Sequence, residues 1–389
     1  VSGGSRGQNL ALALGCVATH SGAVSRAGIS ARTGLHRSTA SSLVDELITG
    51  GLVRETGVDG RHGVGRPATI LALAGRGPAG VGVEISPHLV VLSVVDLTGE
   101  VRYLRTVEQP AADPTSAEAL AWIGGLVRQA LAVVAEEDLQ PLGVAVSVAG
   151  PPDQDTGETG RTPGDLVATL RRPGLPPHVV LDRGTYFAAL SEDGYPGADQ
   201  SYLYLDGRDG IEAGLVLEGV LYRGARGWGC EVGHQPADPD GSRCPCGRRG
   251  CLDQCAGYPA VLRAAGLSDV HPAGRIPVEL VLDRVNRGDR PAVEAVTRAG
   301  TALGRVVARC LSFLDLDRVV LGGVYRELAP WVVPEMEREL TACFIGFPRT
   351  PPAVTVAARG PDAAAVGAAR SLVRQVIRDP MVWLCRGDL

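Results

Sequence analysis

Glu231-Val-Gly-His234, followed ten residues later by Cys244-Pro-Cys246-Gly-Arg-Arg-Gly-Cys251, is the stretch on which the reading of this chain turns. One imidazole and three thiolates make a closed tetrahedral N/S donor set. That is the structural type for zinc, because no position is left for water. Gly247 and Gly250 fall where knuckle-like turns between ligands need backbone freedom. Chance clustering, free thiols or disulfides compete with this reading, and the spacing favours structural Zn2+ on His234, Cys244, Cys246 and Cys251. Cys230 and Cys255 flank the group, either as substitute ligands or as small buried residues.

The surrounding composition fits that assignment. Nine cysteines accompany no secretory leader, so metal binding outranks disulfides. A chain of 389 residues, 45% hydrophobic and 21% charged, is long enough for two or three globular domains and too apolar for a disordered one. No stretch reads as the roughly 20 apolar residues of a spanning helix, so a cytoplasmic protein without a membrane partner is expected. The net charge of -5 is uneven. Residues 1–75 hold seven arginines against four acids, and the remainder holds 31 against 39. There is no lysine, so every fixed positive charge is a guanidinium.

The basic N-terminal part reads as three short helices. Leu10, Leu14 and Val17 recur at helical spacing, Ser25 is an N-cap candidate, and Thr33-Gly34-Leu35 makes a turn. Beyond it, Ala40, Leu43, Val44 and Leu47 fall at i, i+3, i+4 and i+7 and share one buried stripe. Arg37, Ser38, Thr39, Ser41 and Ser42 then form an outward face that is small, polar and free of acids, as a helix entering the major groove requires. Leu52-Val53-Arg54 begins a hairpin whose basic tip carries Arg61 and Arg66. The plain alternative is a three-helix bundle with a solvated face, and the hairpin and charge asymmetry favour a winged helix-turn-helix on double-stranded DNA. A two-fold dimer would present two such helices to a palindromic operator.

Gly75 to Gly80 reads as a linker, followed by two rounds of strands and helices. The expected organisation is α/β: a head over 1–75, one lobe over 79–195 and a second, zinc-bearing lobe over 196–380, with a cleft between the lobes.

Glu231-x-Gly-His234, Cys244-x-Cys246-Gly-x-x-Gly-Cys251-Leu-Asp253, the preceding Tyr222-Arg-Gly-Ala-Arg-Gly-Trp and the later Val320-Leu-Gly-Gly-Val resemble the signature of the ROK family of repressors, open reading frames and kinases. Ser25 to Glu55 with Gly65-Arg66-Pro67 looks like the winged helix of its repressor branch. The resemblance implies a two-lobed actin-like/hexokinase-like fold of RNase-H-like lobes behind a DNA-reading head, usually a homodimer or homotetramer. It also implies sugar contacts, here Glu231, His234 and Asp253.

Departures from the kinase pattern carry more information. Where kinases have an Asp-x-Gly-Gly-Thr phosphate loop, this chain has Glu84-Ile-Ser-Pro-His88, whose proline lacks an N–H and whose glycines are gone. The second phosphate loop aligns with Arg208-Asp-Gly-Ile-Glu212, which sets carboxylates where phosphate would lie. The segment supplying the catalytic Asp aligns with Asp182-Arg183-Gly184, and glycine cannot act as a general base. Arg183 either pairs with an acid, fills the vacated site or binds an anionic effector. Glu231 and Asp253 either hold the zinc loop or contact ligand. No catalytic residue is assigned. The expectation is a non-enzymatic regulator, a repressor, whose effector is a sugar or sugar phosphate. The alternatives are a sugar kinase with a fused DNA-binding domain, and a regulator controlled by a protein partner.

Overall fold

The computed structural model describes residues 5–58, 68–86, 89–109, 116–148, 164–171, 175–176, 178–192, 200–208, 210–267, 277–344 and 350–388. Helices α1 (Arg6–Thr19), α2 (Arg26–Thr33) and α3 (Arg37–Thr49) build the head with a small antiparallel sheet. That sheet runs β1 (Val24–Ser25), β3 (Thr69–Leu73), β2 (Val53–Val58). Each helix starts or stops on the chemistry its sequence supplies. Ser5 and Gln8 close a capping box on α1, the Ser25 hydroxyl accepts the Gly28 N–H at 3.3 Å, and Gly34 ends α2 at φ 72°. Leu10, Leu14, Val17, Ile29, Ala40, Val44 and Leu47 are fully buried and form the head's core.

Two five-stranded sheets share one topology. The first comprises β4 (Gly77–Ile85), β5 (Leu89–Asp96), β6 (Val101–Glu108), β7 (Leu139–Val148) and β8 (Val179–Arg183) in the order β6-β5-β4-β7-β8. The second comprises β9 (Tyr202–Asp206), β10 (Glu212–Leu217), β11 (Val220–Tyr222), β12 (Arg318–Leu321) and β13 (Ala353–Val356) in the order β11-β10-β9-β12-β13. In each, the three earliest strands pair antiparallel and the two later ones add in parallel. Repetition of this arrangement is what an RNase-H-like pair requires. Helices α4 (Ala117–Glu136), α5 (Gly164–Leu170) and α6 (Gly184–Glu192) accompany the first sheet. The second sheet has α7 (Leu252–Cys255), α8 (Tyr258–Ala264), α9 (Val278–Asn286), α10 (Arg290–Cys310) and α11 (Val324–Cys343). By length and composition α4 matches a membrane span, against the sequence expectation. Leu120, Ile123, Val127, Ala130 and Val134 nevertheless place one face of it in the core of the first sheet.

The chain then returns. Helices α12 (Ala363–Arg378) and α13 (Met381–Leu384) belong to the compact unit formed by 1–199 and 362–389, while 200–361 form the other. The sequence division had left α12 with the second lobe. Long-range packing, which no local pattern announces, puts it on β4 instead. Gly80 and Gly82 explain how: a Cβ at these positions would lie 2.1 Å from the Ala369 carbonyl oxygen and 1.9 Å from that of Ala365. The Gly/Ala-rich run expected to be a linker to Gly80 is therefore strand from Gly77 onward, its glycines serving close helix approach rather than flexibility. Gly82→Ala should lower the unfolding free energy by about 3 kcal/mol through overpacking. Gly15→Ala, in open space within α1, should cost nothing. Parallel denaturant titrations check both.

Candidate functional site

The outward face of α3 is as its periodicity demands. Arg37, Ser38, Thr39 and Ser42 are exposed and Ser41 is half-buried, whereas Ala40, Leu43, Val44 and Leu47 face the core. No acid lies in the first turn, and the His36 N-cap supplies no side-chain cap. The acids that follow are occupied within the head. Arg26 pairs with Asp45 at 2.6 Å and with Glu55 at 3.2 Å, and Arg6 pairs with Glu46 at 2.9 Å. The carboxylates on and beside α3 are thus each paired with an arginine of the head. Sequence reading missed His36, an exposed imidazole whose Nδ1 lies 2.8 Å from the Ser38 hydroxyl, because it precedes the helical stripe. Arg61 and Arg66 lie outside the described residues.

The second cluster is the cysteine loop. A 3-10 turn at Val232–His234 delivers the imidazole, and the loop closes on itself. The Cys244 N–H donates to Arg248 O at 2.8 Å and the Gly250 N–H donates to Ser242 O at 2.9 Å. Gly247 and Gly250 adopt φ of 91° and 63°, and a side chain at Gly250 would strike the Asp238 carbonyl. The donor atoms of His234, Cys244, Cys246 and Cys251 all lie within 4.8 Å of one another. His234 Nδ1 is 3.6 Å from Cys244 Sγ, and Cys246 Sγ is 3.6 Å from Cys251 Sγ. A tetrahedral ion with bonds of about 2.3 Å to sulfur and about 2.0 Å to nitrogen has edges of roughly 3.5 to 3.8 Å, which these two separations match. Among the described residues Cys230 and Cys255 are not in the cluster.

The electrostatics of these thiols also call for a cation. The Arg248 backbone N–H draws the Cys246 thiol below its ordinary value, while burial among its sulfur neighbours pushes Cys251 up to about 12. Three thiolates this close would repel one another, and a divalent ion bound among them would offset that repulsion.

Asp253 anchors the loop to the residue just ahead of β10. Its Oδ1 accepts the Ile211 N–H at 2.7 Å and its Oδ2 is 3.6 Å from His234 Nδ1. Glu231 is half-buried just ahead of the 3-10 turn. These three side chains belong to one unit and Arg183 to the other. Arg183 is buried at the end of β8, its guanidinium 5.3 Å from the Tyr186 ring centre, while Asp182 accepts its backbone N–H at 2.9 Å.

Gly184 opens α6 without a side chain. In the second phosphate-loop segment Arg208 turns inward onto Asp206 at 3.0 Å, so its cation is already engaged. Gly322 and Gly323 are packing glycines: a Cβ would lie 2.0 Å from the Tyr204 hydroxyl in one and 2.2 Å from Asp206 Oδ1 in the other. At the first loop, Ser86 closes a turn on Leu89 O, while Pro87 and His88 lie outside the described residues.

Comparison with known proteins joins these parts. The ROK family profile matches residues 80–376 and the MarR family profile matches 11–62. The xylose repressor of Bacillus subtilis (strain 168) is 24% identical over 82% of this chain and 83% of its own length. A solved ROK family transcriptional regulator, a homologue of the Escherichia coli MLC protein, superimposes with a TM-score of 0.77 at 22% identity over 97% of this chain and 98% of that one. A ROK glucokinase from Streptomyces griseus, solved with glucose and AMPPNP, reaches a TM-score of 0.58 at 26% identity and covers 76% of this chain and 99% of its own. The kinase thus matches about three quarters of this chain, whereas the regulator matches nearly all of it. A MarR-like head and a ROK body together make a DNA-binding transcriptional regulator, and the chain belongs to the ROK family.

Proposed function

We propose that this protein is a cytoplasmic repressor that binds a palindromic operator as a homodimer or homotetramer and transfers no phosphate. The observation that carries the reading is the acid-free outward face of α3, with neighbouring carboxylates engaged by Arg26 and Arg6. Arg37, Ser38, Thr39, Ser41 and Ser42 would meet base edges and phosphates, and the uncapped first turn of α3 offers N–H groups to a phosphate. Arg61 and Arg66 would reach backbone or minor groove from the wing. Structural Zn2+ on His234, Cys244, Cys246 and Cys251 would staple the loop, supplying no chemistry beyond a fixed fold. A sugar or sugar phosphate is the proposed effector, with Arg183, Glu231, His234 and Asp253 as its contacts. In a second reading a protein partner replaces the small molecule, and Asp253 serves the loop through the Ile211 N–H and its place beside His234.

A gel-shift titration against the chain's own upstream DNA tests the reading. Binding at least a thousandfold tighter than to random duplex at moderate salt is expected, and equal affinity would overturn it. The kinase alternative has its own test. Gly184→Asp restores a carboxylate at the base position, where a Cβ would lie 2.8 Å from Ser147 Oγ. With Arg208 engaged and the phosphate loops altered, no sugar-dependent ATP turnover should appear in a coupled assay. Turnover in that variant would show that only the base had been lost.

A further inference from the structure

Among the described residues the head meets the first lobe where α1 packs on α12 and at two further places. One is the short covalent path through Ala74–Arg76, and the other is the end of the chain. Beyond α12 the chain turns at Asp379 and Pro380 into α13, and Trp383 Nε1 donates to Gly50 O at 2.8 Å. Gly50 is the C-cap of α3, so this bond joins the carboxyl end of the DNA-facing helix to a residue 333 positions later. Leu384 packs directly on Gly50, and Met381 lies 3.3 Å from where a Cβ of Gly7 in α1 would be. On the lobe side Arg386 donates to Pro141 O at 3.1 Å and to Leu142 O at 2.5 Å, both in β7, while its guanidinium sits 5.8 Å from the Trp383 ring centre. The mount behind these contacts is rigid. A Cβ at Gly367 of α12 would lie 1.7 Å from Phe187 O in α6, so those helices touch backbone to backbone, as α12 also does β4 at Gly80 and Gly82.

We propose that Trp383 and Arg386 are positioning residues for DNA recognition. They form a strap that locks the carboxyl end of α3 to β7, so that the reading face is aimed by the ROK body rather than swinging on its linker. This rests on the reading of α3 as the recognition helix. A strap of this kind affects operator binding, which needs the helix correctly presented, more than charge-driven binding to arbitrary duplex.

Trp383→Phe removes the donor and leaves a smaller aromatic ring, and Arg386→Ala removes both bonds to β7 together with the guanidinium beside the Trp383 ring. Trp383→Phe should bind a selected palindromic duplex about fivefold to tenfold more weakly, the worth of one hydrogen bond, and Arg386→Ala, which loses two, at least as much. Binding to random duplex should change less than twofold. Amide exchange at Gly50 to Leu52 should rise in both. Because the two ends of the strap act in series, the double variant should lose no more than the weaker-binding single one. Equal losses on both duplexes, additive losses, or unchanged exchange at Gly50 to Leu52 would each overturn the proposal. Absence of specific DNA binding by the native chain would instead defeat the recognition-helix reading, and the exchange measurement would still judge the strap.

Discussion

Cys246→Ala should abolish stoichiometric zinc and lower the melting temperature of the 200–361 unit by about 10 °C. Cys246 is exposed, so its removal takes away a ligand without leaving a cavity. Cys251 is buried, and Cys251→Ala should cost more, losing sulfur packing as well. The size follows from linkage: a ligand held a thousandfold above its Kd stabilises by about 4 kcal/mol, and for a unit of this length each kcal/mol moves Tm by about 2 to 4 °C. Cys343→Ala, exposed and outside the cluster, is the control and should leave both readings unchanged. Elemental analysis beside calorimetry makes the measurement, with chelation of the native chain reproducing the Cys246→Ala shift. Zinc-free protein that melts as before after chelation would remove the metal from the account.

The second large effect is on DNA. Arg37→Ala should weaken operator binding roughly tenfold to a hundredfold, the usual worth of a guanidinium that reaches a base edge. Ser42→Glu should do more. Ser42 is exposed on the same face, glutamate is a good helix former, and a carboxylate there would meet the phosphate field where the native chain has placed no acid. At least a hundredfold loss is expected, with the melting temperature of the head unchanged. Arg26→Ala works by a different route. It releases Asp45 and Glu55 beside the reading face, so its defect should combine weaker binding with lower stability. Fluorescence anisotropy titrations at two salt concentrations separate these contributions.

The His/Cys cluster and the apolar stripe of α3 were legible in the sequence because each is local. Four ligands fall within eighteen residues, and the apolar spacing of α3 fixes which side chains point out. The repeated strand-helix order likewise announced two similar lobes. What could not be read was set at long range. Gly80 ends a run with the composition of a flexible linker, and its pairing with β5 and the approach of Ala369 from the far end of the chain have no local sign. The placement of α12 and the bond from Trp383 to Gly50 have no local signature. His36 escaped for a smaller reason, since it stands one residue ahead of the periodic pattern that defines the helix. At Asp253 the sequence left two roles open, and the bond from Ile211 shows that at least one carboxylate oxygen serves the loop.

Mapping the chain's occupancy across its native genome, beside its Arg37→Ala variant, tests the central claim most directly. The expected result is a small set of sharp intergenic peaks sharing one palindromic motif, all lost in the variant. Diffuse occupancy that is the same for both proteins would contradict it.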